Sequence, residues 1–142
     1  MATATQAKIE AGKLLIGGEW RDATGGKTFA TVNPADESVI TQVAEAGADD
    51  VDAAVAAGRK AVESGPWSKM SSSDRGKILW RMGELITERV TNLALLETVD
   101  TGKTLFDSGK IELPMAAQIF QFYAGAASKI AGRTPSARSD AF

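Results

Sequence analysis

The 142-residue chain contains neither cysteine nor histidine. The first absence excludes disulfides and thiolate metal sites. Together they remove the side chains most used for nucleophilic and proton-transfer catalysis near neutral pH. Charge of one sign is also lacking: 16 Lys and Arg face 18 Asp and Glu, scattered without a basic run. That balance gives no footprint for nucleic acid or an anionic membrane surface. No stretch approaches the ~20 apolar residues of a membrane span. Met1–Lys13 has no apolar run of the secretory-signal kind. The expectation is a cytoplasmic protein whose residues 1–13 form a flexible arm. With 44% apolar and 24% charged residues, the rest reads as an ordinary globular domain.

The first third alternates like β-structure. Leu14-Leu15-Ile16 runs through Gly17-Gly18 into Glu19-Trp20-Arg21, a hairpin signal. Thr28–Val32 ends at the Asn33-Pro34 turn, and Val39–Ala44 is rich in β-branched residues. One small antiparallel sheet of two or three strands is expected over residues 14–47, marginal unless covered. From residue 49 the period turns helical, and about four helices are expected over 48–132. Val51, Ala54, Val55, Gly58 and Val62 mark the first stripe, and Ser64-Gly65-Pro66-Trp67 breaks it. Ser71 with Asp74 caps a second helix striped by Ile78, Leu79, Met82, Leu85 and Ile86. A third is expected from Asn92 to a C-terminal Gly102. A fourth is expected from Thr104, carrying Ile111, Met115, Gln118, Ile119, Phe122, Ala126 and Ile130, with a kink or break at Pro114. Periodicity is lost after Gly132, so 133–142 is set apart as a tail.

Several strings suggest chemistry that they do not carry. Gly25-Gly26-Lys27-Thr28 and Gly102-Lys103-Thr104 end like a phosphate-binding loop, but that loop needs a glycine where Arg21 and Glu97 stand. No Gly-x-Gly-x-x-Gly string supports a dinucleotide loop. Asp49, Asp50 and Asp52 open a helix, where acidic side chains favour the positive dipole end and are expected to be solvated. Trp20, Trp67 and Trp80 read as core or interface anchors rather than a pocket lining.

Taken in order, three stretches resemble the N-terminal region of the NAD(P)-dependent aldehyde dehydrogenases. They are LLIGGEWRDATGGKTFATVNPADESVITQVAEA, DDVDAAVAAGRKAVESGPWSKMSSSDRGKILWRMGELI and LALLETVDTGKTLFDSGKIELPMAAQIFQFYAG, spanning residues 14 to 132. The resemblance implies an α/β fold, the N-terminal segment of a Rossmann-like cofactor domain. It also implies a longer chain with a catalytic domain and a bridging hairpin. That chain would be a homo-oligomer using NAD or NADP to oxidise an aldehyde to a carboxylic acid. The family's cysteine nucleophile, glutamate base, oxyanion asparagine and ribose-binding lysine match nothing here. No catalytic or cofactor-binding residue is therefore carried over, and the chain is expected to be inactive alone. One family feature maps onto the sequence. A structural monovalent cation would be held by the carbonyls of Thr31 and Val32 and by Asp100, an incomplete oxygen shell for a hard ion. The sequence departs from the family pattern at Ala126-Ala127-Ser128 and beyond Pro135. The alternative is a non-catalytic interaction or scaffold domain derived from that family.

Overall fold

A computed structural model describes residues 9–132. Strand β1 (Leu14–Ile16) pairs antiparallel with β2 (Glu19–Arg21), in register Leu14 to Arg21. Gly17 and Gly18 close this hairpin with φ of 64° and 90°, a left-handed pair that side chains rarely tolerate. Strand β3 (Thr28–Val32) pairs antiparallel with β4 (Val39–Ala44), and the ladder is irregular between Thr31 and Val32. The expected single sheet is therefore two separate hairpins. Between them the Thr24 N–H is committed to the Asp50 carboxylate rather than to a strand partner, so β2 does not continue into β3.

The first described residues pair with β4. Gly12 donates to the Gln42 carbonyl at 2.8 Å and accepts from Ala44 at 2.9 Å, while the Thr41 hydroxyl donates to the Glu10 carbonyl. Residues 1–8 and the tail over 133–142 lie outside the described residues.

Helix α1 (Ala48–Glu63) follows β4. Its valine stripe at Val51, Val55 and Val62 faces outward, contrary to the usual reading of such a stripe. The inward positions are Asp50, Ala53 and Ala57. A one-turn helix α2 (Pro66–Lys69) sits at the predicted break. Helix α3 (Ser72–Glu88) begins where expected, with the Ser71 hydroxyl accepting from the Asp74 N–H at 3.1 Å. Only Arg89 separates it from α4 (Val90–Thr101), which therefore starts two residues before the expected Asn92. Gly102 ends α4 in the left-handed region with φ of 76°, as its position predicts.

The stretch read as one kinked helix is two kinds of helix. Asp107–Glu112 is π-helical, with the Leu113 N–H reaching back to the Ser108 carbonyl, and α5 (Leu113–Ala126) continues from it. Pro114 has no N–H to offer the preceding turn, and the widened turn just before it absorbs that loss without a sharp break.

Helices α3 and α5 form the main packing of the described chain, and glycine makes it close. A methyl group added at Gly76 would sit 2.7 Å from the Ala124 carbonyl oxygen, and one at Gly83 would sit 2.8 Å from that of Ala117. Such contacts bring two backbones together where any side chain would intrude. The buried apolar side chains among the described residues are four alanines: Ala23, Ala44, Ala94 and Ala117. The larger ones are half-buried or exposed, among the latter Phe122 (71% exposed), Trp20 (68%) and Ile130 (90%).

Candidate functional site

The expected cation ligands come from two elements that the fold brings together. The Asn33-Pro34 turn closes the β3–β4 hairpin, with Ala35 donating to the Asn33 side chain at 2.9 Å and Asn33 to the Ser38 carbonyl at 2.9 Å. Gly102 abuts this turn so tightly that a methyl group there would meet Pro34 at 2.9 Å. The C-terminal turn of α4 is thereby pressed against the end of β3. A groove of about 550 Å³ runs between them, lined on its polar side by Glu10, Thr31, Thr41, Glu97, Asp100 and Thr101. Ile9, Ile40, Val43, Leu93, Leu96 and Leu113 form its apolar walls.

Thr31 and Asp100 thus share the groove, while Val32 is exposed and outside its lining. Among the described residues, no hydrogen bond or ion pair engages the Asp100 carboxylate, and no three acidic side chains gather as a metal cluster. Reading along the chain missed Glu97 and Thr101, although both lie within one helical turn of Asp100 and so share its neighbourhood. The Thr101 hydroxyl donates to the Glu97 carbonyl at 2.6 Å, fixing that turn.

Lys103 pairs with Glu97, one of the groove's carboxylates. Its ammonium bridges Glu112 at 2.7 Å and Glu97 at 3.2 Å, tying the end of the π turn to α4. The hydrogen bond to Glu112, then that to Glu97, raises the Lys103 pKa, and the same ammonium holds Glu112 below the usual carboxylate range. A second hollow of about 400 Å³, mostly apolar, lies between α4 and the π turn beside Ala94, Leu105 and Phe106. Ser108, fully buried behind it, accepts a 3.3 Å hydrogen bond from the Thr98 hydroxyl.

The acidic cluster opening α1 is not uniformly solvated. Asp50 is 1% exposed and accepts from the Thr24 N–H at 3.1 Å, the Thr24 hydroxyl at 2.6 Å and the Gly47 N–H at 3.0 Å. The Thr24 hydroxyl first, then Gly47, holds its pKa below the ordinary value. Its role is to fasten the loop after β2 to the start of α1. The two strings that mimic a phosphate loop occupy the turn before β3 and the C-terminus of α4. Trp67 is half-buried with the Arg75 guanidinium 5.3 Å above its ring, whereas Trp20 and Trp80 are exposed. None of the described helices is long and apolar enough to cross a membrane.

Comparison with known proteins accounts for this mixture of ordered backbone and uncovered bulk. The profile of the Aldehyde dehydrogenase family matches residues 20–142, including the stretch after Pro135 that departs from the family's motifs. The mitochondrial benzaldehyde dehydrogenase of Antirrhinum majus is 44% identical over 126 residues, 89% of this chain and 24% of that protein. The mitochondrial aldehyde dehydrogenase of Rattus norvegicus is 44% identical over 130 residues, 91% of this chain and 25% of that protein. The NAD+ complex of the Bacillus cereus aldehyde dehydrogenase superposes with a TM-score of 0.88 at 40% identity, covering 92% of this chain and 27% of that one. The chain spans about a quarter of the length of the relatives it matches. With that profile across most of its length and relatives at this identity, the chain belongs to the aldehyde dehydrogenase family, of which it is an N-terminal segment.

Proposed function

We propose that this chain is the scaffold-forming N-terminal segment of an aldehyde dehydrogenase and that it does not turn over aldehyde alone. The observation that carries this is the superposition on an NAD+-bound relative by a chain that has no cysteine to serve as nucleophile. In the complete enzyme the reaction is the oxidation of an aldehyde to a carboxylic acid, with NAD or NADP accepting the hydride. The residues described here bind neither substrate nor cofactor in this reading. They hold the β3–β4 turn against α4 and present apolar helix faces to the remainder of the chain. The whole enzyme is a homo-oligomer, without nucleic-acid or membrane partners, and lies in the cytoplasm.

The reading divides the chain into an arm, a segment over 14–132 and a tail. It includes a structural monovalent cation in the groove, held by the Thr31 and Val32 carbonyls and by Asp100. Two features support the fit. The ladder irregularity at Thr31/Val32 is the kind of place where strand carbonyls lose their partners, and the Asp100 carboxylate lies close by. Hard oxygen donors of this type suit an alkali ion.

The test is a graft. Residues 20–142 replace the matching segment of the Bacillus cereus enzyme, and NADH formation is followed with an aldehyde. The reading expects turnover by the graft and none by the isolated chain. An inactive but folded graft, or NADH formation by the isolated chain, would refute it. For the cation, potassium should raise the thermal midpoint of the graft relative to tetramethylammonium at equal ionic strength, and Asp100→Asn should remove that difference.

A further inference from the structure

The turn after α4 returns an ammonium group to one of the groove's carboxylates. Gly102 takes the left-handed conformation and is held against Pro34, so the chain turns and Lys103 comes back beside Glu97, six positions earlier. Its ammonium lies 3.2 Å from Glu97 and 2.7 Å from Glu112. Among the described residues these are the least exposed ion pairs. Glu97 has 27% and Glu112 35% of its side chain in water, against 43% or more for the acid of every other pair, so they are the least screened. Lys103 and Glu112 are outside the lining of the groove, and Lys103 meets it through Glu97. Glu97 and Asp100 stand three positions apart on α4 and share one face. Glu97 is thus engaged, while no hydrogen bond or ion pair among the described residues engages Asp100. Glu10, the third acid of the lining, does not gather with these two into a metal cluster.

Resting on the cation site of the reading above, we propose that Lys103 sets the valence of the ion that the groove accepts. By holding Glu97 it leaves Asp100 as the one free carboxylate that α4 offers, and so selects a monovalent over a divalent cation. Two electrostatic effects act in the same direction. A fixed positive charge opposes a dication twice as strongly as a monovalent ion at the same distance. Calcium affinity also rises with the number of charged ligands, so the withdrawal of Glu97 costs a dication most. Released from Lys103, Glu97 supplies a second carboxylate on the face that carries Asp100. Lys103 is therefore a positioning residue: it acts on the bound ion through Glu97, with Glu112 anchoring the ammonium from the end of the π turn.

The test compares potassium and calcium on the 142-residue chain. Thermal midpoints are read in each chloride, with tetramethylammonium at equal ionic strength as the reference, and calcium binding is measured by isothermal titration. The wild type should be stabilised more by potassium than by calcium. Lys103→Met should reverse that order and tighten calcium binding by about tenfold or more, the usual reach of a residue that positions a metal ligand. Lys103→Arg keeps the charge and should keep the wild-type order, which a mere loss of packing at this position does not predict. Adding either Glu97→Gln or Asp100→Asn to Lys103→Met should abolish the calcium gain. An unchanged order in Lys103→Met would overturn the proposal and leave the cation site standing. So would a calcium gain that survives either second substitution, because the ion would then sit outside the pair of carboxylates on α4. A wild type that potassium stabilises no more than tetramethylammonium does would refute the cation site itself, and the proposal with it. Should Lys103→Met fail to fold, Lys103→Gln, whose amide can still donate to Glu112, carries the same expectations.

Discussion

The two faces of α5 are packed by opposite rules. Its inner face meets α3 through Ala117, Ala124 and the glycines opposite them, so backbone approaches backbone and little apolar bulk is hidden. Its outer face carries Met115, Ile119, Phe122 and Tyr123, the large side chains that an independent domain would place inside. Geometry in this chain is thus set by small residues, and most of its hydrophobic potential is left unspent. A lone domain reverses that allocation, because burying large side chains is its main source of stability. The difference teaches that small residues set the approach of the two helices while the large side chains of α5 stay uncovered among the described residues.

The comparison can be broken from its inner side first. Gly83→Val drives a branched side chain into the Ala117 carbonyl and Gln121. It should lower the urea-unfolding stability of the isolated chain by about 2–3 kcal/mol, within the usual cost of overpacking. A loss below about 0.5 kcal/mol, the scale of neutral surface changes, would mean that the α3–α5 contact is not as close as described.

Asp50→Asn comes next. It replaces a carboxylate accepting from Thr24 and Gly47 with an amide whose NH₂ must face a donor. Because the folded pKa lies below the ordinary 3.8, the carboxylate stabilises the fold fully above that value and loses its contribution as pH falls through the folded pKa. The wild-type chain should lose stability on acidification below about pH 4, and Asp50→Asn should be less stable at pH 7 with a flatter acid limb. Parallel acid limbs in circular-dichroism melts would remove Asp50 from the account.

On the outer side, Phe122→Asp should change the stability of the isolated chain by no more than about 0.5 kcal/mol and raise its solubility, since the ring has little burial to lose. A large loss would show that the outer stripe is already covered. The smallest effect is a gain. Gly58 lies within α1 with nothing inside 4 Å of an added methyl group, so Gly58→Ala should stabilise by about 0.5–1 kcal/mol in a thermal melt.

The elements of this fold were largely legible because their signals are local. The Gly17-Gly18 turn, the Ser71 cap and the Gly102 stop each depend on a few adjacent residues, and each stands where the pattern put it. The errors arise where a distant residue decides. Asp50 looks like a solvated helix-start acid until Thr24, 26 positions earlier, is folded onto it. The valine stripe of α1 looks like core, yet the inward face is built from Asp50, Ala53 and Ala57. The π turn has no period of its own; Pro114 announced a disturbance but not its form.

The candidate site was legible only through family likeness. Asp100 and Thr31 are remote in sequence, and no spacing rule joins them. Their meeting depends on Gly102 fitting against Pro34, a contact between a helix stop and a turn that each read as ordinary punctuation.

Native-state hydrogen exchange on the isolated chain tests most directly whether its own stability resides in the α3–α5 seam. The account predicts the slowest exchange in α3 around Gly76 and Gly83 and in α5 from Ala117 to Ala124, with α1 exchanging faster. Uniformly fast exchange, or the strongest protection in α1, would contradict it.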